Sequence, residues 1–294
     1  MAVPTRVTIA REEATRVAEQ RPKSIRKPAG RWWRFVLAVI ITAVVLIPVA
    51  AVVLLALKPD SASSSTSSVT FRNFSYVFSD TQLLTWLANS LKVTLSTVVV
   101  SVLAAAPAGY VISRSRSRTV ATYSQLLFFI QALPVITTVI PLFILFAKIG
   151  LVDNLLGLGI IYVGASVSVA AWMMAAYIDT IPRSLEEAAW VDGCSPFKAF
   201  FRIVIRNSFP GILSTAIFTF LVSWNDYLIA SVFIRTDTNF TLPIGMESFF
   251  QQYQTDWGSV MAVAVVMMAP PILIFAVLNK YLRIGGIGGA LTGE

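Results

Sequence analysis

Local chemistry in this chain concentrates in "SLEEAAWVDGCSPFKAFFRIVIR" (184–206). Ser184-x-x-Glu187 has the spacing of a capping box, with Pro182 just upstream. That predicts a helix from about Leu185 to Asp192, ended by Gly193, which accepts a left-handed backbone. Glu187 then has two readings. It is the second half of a cap, or a carboxylate offered to a basic group on another protein. A second constellation is Trp224-Asn225-Asp226, whose carboxylate sits inside an otherwise apolar run. Those polar groups line a translocation path, or they form a structural cluster bonded to a neighbouring helix. The absences exclude whole classes of chemistry. There is no histidine, so neither a Ser/His/Asp nor a Cys/His arrangement is available. Cys194 is the single cysteine, reads as incidental in a turn, and forbids an intrachain disulfide. No G-x-x-x-x-G-K-[ST] phosphate loop occurs, so ATP chemistry would belong to another polypeptide. A membrane enzyme is disfavoured, and a catalytic residue or metal site is not expected.

The elements that must carry these residues are membrane helices. The 294 residues are 56% hydrophobic and 13% charged, about half the charge of an ordinary soluble domain. A bilayer crossing takes about 20 apolar residues. Six runs reach or approach that length: 35–57, 93–113, 119–147, 154–178, 207–234 and 257–279. The first is too long for the core of a signal peptide and has no A-x-A site after it, so it is expected to be retained. The fold class predicted is an all-α membrane protein with six transmembrane helices. Its parts are a basic tail (1–34), the six-helix domain (35–283) and a glycine-rich tail (284–294). Prolines 48, 107, 134, 141, 210, 270 and 271 lie in the runs, each a packing kink or a break at a moving cavity.

Charge placement sets the orientation. With both termini inside, inner segments hold 18 of the 23 Lys and Arg residues, including those of "SRSRSR" (113–118). Outer segments hold Lys58, Arg72, Lys148 and Arg235, with Lys92 at an edge. The topology is N-in, C-in, and the net charge of +8 is a topology signal rather than a nucleic-acid footprint. Trp32 and Trp33 fit an interfacial aromatic belt. "SASSSTSS" (61–68) is a flexible spacer. In 235–256, Phe249, Phe250, Tyr253 and Trp257 recur at helical spacing. They predict a short amphipathic helix at the outer interface, or a lip that meets an outside partner.

The loop 179–206 therefore interrupts the membrane pattern on the inner side. Ser195-Pro196 reads as an N-cap with proline in the first turn. Phe197, Phe200, Phe201 and Val204 then form one apolar stripe expected to face the bundle, and Lys198, Arg202 and Arg206 one basic stripe for water or lipid headgroups. The first helix is about 12 Å long, and Ala188 and Ala189 leave it slim. Such a protrusion suits docking into a groove of a separate protein.

On these residues the chain resembles the permease subunits of ATP-binding-cassette (ABC) importers. Glu187-Ala188-Ala189-x-x-x-Gly193, with Ile203 after nine further residues, looks like their EAA loop. "NSLKVTLSTVVVSVLAAAPAGYVISR" (89–114), "SWNDYLIA" (223–230), "TLPIGM" (241–246) and "GGALTG" (288–293) resemble the carbohydrate-uptake subfamily, typified by the smaller maltose permease. One departure is Arg206, where the family pattern Ile-x-Leu-Pro ends in proline; the helix is expected to run on into the next span. The resemblance implies that Ser184, Glu187, Ala188, Ala189, Gly193 and Ile203 belong to a cytoplasmic coupling helix. It implies a second related permease, two ATPase subunits holding ATP and Mg, and an extracytoplasmic binding protein as partners. It places the chain in a bacterial plasma membrane, with a sugar or oligosaccharide as cargo and glycerol phosphate or a polyol as the runner-up. An ion-coupled carrier using Asp226 is the rival of another class.

Overall fold

The computed structural model describes residues 31–58, 69–250 and 256–286. The head before residue 31, the spacer 61–68, Tyr253 and "GGALTG" lie outside them. The chain divides into two units, Met1–Ala51 and Val52–Glu294. The described part of the first unit is most of α1 (Arg31–Ala56). Trp32, Trp33 and its large aliphatic side chains up to Ile47 are all exposed, as befits a helix whose surroundings are acyl chains.

The second unit begins with α2 (Arg72–Ser79), anchored by Asn73, which donates to the carbonyls of Ala56 (2.8 Å) and Lys58 (3.0 Å). Two long helices follow the sequence expectation, α3 (Leu83–Arg114) and α6 (Leu155–Asp179). They pack side by side through small residues. Ala105, Ala106 and Gly109 meet Ala170, Ala171 and Met174, the close approach that membrane helices use where hydrophobicity supplies no preference between neighbour and lipid. The last helix, α12, runs Trp257–Gly286 and tolerates Pro270 and Pro271 inside it.

The run 119–147 departs from a straight span. It forms α4 (Arg118–Ala132) and α5 (Val135–Lys148), bent by 95°. Pro134 lacks an N–H and pushes Leu133 into an extended conformation (φ −71°, ψ 128°). Each half is only about 21–23 Å long, short of a 30 Å hydrocarbon core. The run 207–234 is likewise divided into α9 (Phe209–Trp224) and α10 (Leu228–Phe233). Four helices are long and apolar enough to cross alone; two bent pairs, α4 with α5 and the segment 196–207 with α9, bring the number to six when each pair is taken as one span.

In the segment after α10, Phe249 and Phe250 are not helical, and residues 251–255 of the expected aromatic helix lie outside the described residues. The helix there is α11 (Leu242–Glu247), ahead of the aromatic series. Phe249 is buried edge-on against Trp86, while Phe250 stays exposed beside Trp257. The ring of Trp86 fixes this path: a Cβ at Gly245 would fall 2.2 Å from it. The indole N–H of Trp86 donates to Asp237, Asn89 donates to the carbonyls of Thr238 and Phe240, and Ser90 accepts from the Leu242 N–H. The beginning of α3 thus grips residues 237–242.

A clasp at the same end joins the α5–α6 loop to residues 234–239. The Asp153 carboxylate accepts from the amides of Arg235 and Thr236 (3.0 Å each), from the Thr236 hydroxyl and from Asn239. Partial burial pushes this carboxyl up, but the bonds from Thr236, Arg235 and Asn239 outweigh it and hold the pKa at about 2. A depressed carboxyl stabilises above its unfolded pKa, near 4, and loses that contribution as pH falls towards 2. Amide exchange across residues 233–240 should therefore stay slow at pH 4. In Asp153→Ala it should speed up about 10- to 100-fold, the range for losing charge-assisted bonds. Hydrogen-exchange mass spectrometry in nanodiscs reads this; equal protection in the variant would mean that the clasp is not closed.

Candidate functional site

Residues 184–191 form α7 as a single short helix. Its start differs from the capping-box expectation. Arg183 occupies the N-cap in a helical conformation (φ −61°, ψ −29°), so Ser184 is already inside the first turn. A box needs its serine at an extended N-cap, and Ser184 makes no such bond. Leu185 and Glu186 instead donate their amides to the carbonyls of Pro182 and Arg183. Freed from capping, Glu187 points outward and is exposed, as are Ser184 and Ala188, while Ala189 is half-buried.

The helix ends where the sequence places the stop. Gly193 has φ +83°. Its amide donates to Trp190 O and that of Cys194 to Ala189 O, the two bonds of a Schellman motif. Ser195 then caps α8 (Pro196–Ala199) by accepting from the Lys198 amide, with Pro196 in the first turn. A π-helical turn (Phe200–Val204) and a last turn (Ile205–Asn207) follow.

That π turn splits the predicted phenylalanine stripe. Its wider spacing places Phe200, Val204 and Ser208 on the buried side, four residues apart, together with Ala199. Phe197 is 73% exposed and packs on Phe201, which is also exposed. Ile203 is half-buried, and Lys198, Arg202 and Arg206 lie exposed as expected. The helix does not run on into α9 but bends by 70°. Pro210, in the first turn of α9, cannot donate to the carbonyl of Arg206. The break comes from this proline, four residues beyond the departure at Arg206.

Beneath the exposed residues lies a polar network that sequence reasoning missed. Glu186, next to the predicted Glu187, is only 2% exposed. Its Oε1 accepts from Arg114 Nε (2.8 Å) and its Oε2 from the Tyr110 hydroxyl (2.8 Å). Arg114 also donates to the carbonyl of Ile181 and to Ser113 Oγ. Ser113 Oγ donates to Asp179, and Arg183 donates to the Ser113 carbonyl (3.0 Å). Tyr110, Arg114, Arg183, Glu186, Glu187 and Trp190 line a cleft of about 170 Å³, with Glu187 on its rim. The only sequence signal was Tyr110 and Arg114, four apart on one face at the end of a span. Around the cleft, Leu185, Trp190 and Val191, the last 88% exposed, present large apolar groups at the surface, a combination characteristic of interaction sites.

The second constellation does not converge. Trp224 is buried against α12, donating to the carbonyl of Met267 and stacking on Phe220. Asn225 is exposed and bonds back to Leu221 O. Asp226 turns the other way, accepting from the Tyr162 hydroxyl (2.8 Å) and the Ala230 amide (3.1 Å). The carboxylate thereby starts α10 and ties it to α6. Among the described residues no group of His, Cys, Asp and Glu could hold a metal.

With this geometry in place, known proteins can be set beside it. Residues 97–283 match the family described as the binding-protein-dependent transport system inner membrane component. The chain is 33% identical over 205 residues to the inner membrane ABC transporter permease protein YcjP of Escherichia coli (strain K12), covering 70% of this chain and 73% of that one. It is 30% identical over 264 residues to the trehalose transport system permease protein SugB of Mycobacterium tuberculosis, covering 88% and 96%. A crystal structure of a bacterial ABC transporter involved in alginate import shares the fold, with a TM-score of 0.71 at 22% identity over 88% of this chain and 99% of that one.

Proposed function

The chain belongs to the binding-protein-dependent transport system inner membrane components, and from that premise we propose how it couples ATP to import. It is a multi-pass membrane permease subunit of an ABC importer and not itself an enzyme. Its cargo is a sugar or oligosaccharide, carried across a bacterial plasma membrane. It pairs with a second related permease. Two ATPase subunits, which hold ATP and Mg, dock on the inner side, and an extracytoplasmic binding protein delivers substrate on the other. Both termini are cytoplasmic, and α7 is the coupling helix.

The observation that supports this most is the construction of α7. It is a slim helix closed by a complete Schellman motif, with Glu187, Ala188 and Val191 exposed on it. Its end of the bundle is that of Arg114, Arg116 and Arg118, the basic segment that the charge rule assigns to the cytoplasm. ATP closes the ATPase pair, α7 moves with the surface that grips it, and the spans pass from inward-open to outward-open. Hydrolysis resets them. The bonds made by Asp226 to Tyr162 and Ala230 favour its structural role over ion coupling.

The test is to purify the chain with its partners, reconstitute the complex and screen sugars, polyols and glycerol phosphates for binding-protein-stimulated ATPase activity. Stimulation by a sugar is the expected result. Stimulation only by glycerol phosphate or a polyol would move the cargo to that class. A preparation that transports without nucleotide would overturn the proposal.

A further inference from the structure

Glu187 is the outward carboxylate of α7, yet the buried one is Glu186, and it points into the membrane domain. Resting on the docking role of α7, we infer that Glu186 and Arg114 are positioning residues that make α3 the connecting rod between the docking helix and the far end of the bundle. The chain itself links α7 to α6 and to α8. Nothing in the covalent sequence links it to α3, which ends 70 residues earlier.

Four contacts of Glu186, Arg114 and Tyr110 make that link, beside the bond from Arg183 to the Ser113 carbonyl. The ion pair uses one oxygen of Glu186, and Tyr110, one turn along α3, takes the other. Arg114 holds the turn that leads into α7 through Ile181 O. The Tyr110 ring packs on Phe200, with centroids 4.9 Å apart, so the π turn after α8 is held by the same residues. A carboxylate with both oxygens occupied and 2% exposure cannot shift without its partners, because a separated buried charge has no solvent to replace them. Displacement of α7 must carry the end of α3 with it.

At its other end α3 grips a different segment. Trp86, Asn89 and Ser90 hold residues 237–242 through five hydrogen bonds. The helix is continuous between the two grips, and its 32 residues span roughly 48 Å. A push on α7 is therefore delivered to residues 237–242, which the Asp153 clasp also contacts through Asn239.

The experiment reads that delivery without needing the cargo. Thr238 is exposed, so Thr238→Cys in a Cys194→Ser background gives a reporter for a membrane-impermeant maleimide in the assembled complex. Labelling is compared with and without Mg-ATP and vanadate. The double variant Glu186→Gln/Arg114→Gln removes the pair without leaving an unpaired buried charge. We expect an ATP-dependent labelling change of fivefold or more in the parent and less than twofold in the double variant, with ATP hydrolysis within twofold of the parent. Arg114→Lys, which keeps the charge, should retain an intermediate change. A full labelling change in the double variant overturns the inference. So does loss of the bound ATPase in that variant with Arg114→Lys unaltered, since Glu186 would then serve assembly alone. Failure of the docking role is read separately, as retention of the ATPase subunits and of uptake by Glu187→Arg.

Discussion

Glu187→Arg should abolish ATP-driven uptake, a drop of at least about 100-fold, while the chain still inserts into the membrane. The side chain is exposed and makes no hydrogen bond or ion pair within the described residues, so its replacement costs the fold within about 0.5 kcal/mol. An effect on uptake then reports a surface outside the chain. Reversing a charge at a protein interface costs several kcal/mol, and about 2.7 kcal/mol already corresponds to 100-fold. Gly193 supplies the companion variant. Nothing lies within 4 Å of a Cβ built there, but its φ of +83° penalises any L side chain by about 1–2 kcal/mol. Gly193→Ala should weaken coupling modestly. Gly193→Phe adds bulk beside α7 where a docking partner must approach, and should abolish uptake. The readouts are uptake into proteoliposomes and co-purification of the ATPase. Normal uptake in both Glu187→Arg and Gly193→Phe would refute the docking role.

The second large effect is structural. Gly109→Leu should prevent stable folding of the membrane domain, and Gly109→Ala should lower its thermal midpoint. A Cβ at this position would lie 2.6 Å from Met174 Cβ, 2.8 Å from Ala175 N and 2.9 Å from Ala171 O. Two of those atoms are backbone, so no rotamer change relieves the clash, and α3 must move away from α6. Overpacking of this kind costs about 1–3 kcal/mol or more, and it falls on the interface that holds both long spans together. Gly164 is the control. It too lies within α6, but nothing lies within 4 Å of its Cβ position. Gly164→Ala should be neutral or stabilising by up to about 1 kcal/mol, the helix-propensity difference. Thermal unfolding in detergent measures all three; equal midpoints for Gly109→Ala and Gly164→Ala would contradict the packing.

The contrast between those glycines shows where sequence reasoning stops. Both sit in apolar runs, and a membrane helix is apolar on its lipid side and its protein side alike, so hydropathy carries no facing information. The same limit explains Trp224, Asn225 and Asp226. Their adjacency suggested one site, but on either side of a helix end they turn in different directions. The 95° bend was half legible, since Pro134 was visible but the angle depends on what α4 and α5 pack against.

Everything legible in the chain alone follows from short-range rules. Run length and charge counts identified the solvent and the six apolar runs; the backbone freedom of Gly193 and the capping oxygen of Ser195 set the boundaries of α7 and α8. The first two are sums along the chain that need no contact between distant residues, and the last two depend on residues within about four positions. Which of two adjacent glutamates faces inward was decided by long-range packing. The one local rule that separates Glu186 from Glu187, capping-box spacing, is not used by the folded chain, and the two differ because Arg114 and Tyr110, more than 70 residues away, lie under one of them. A buried carboxylate needs a partner, and folding alone determined which carboxylate got one.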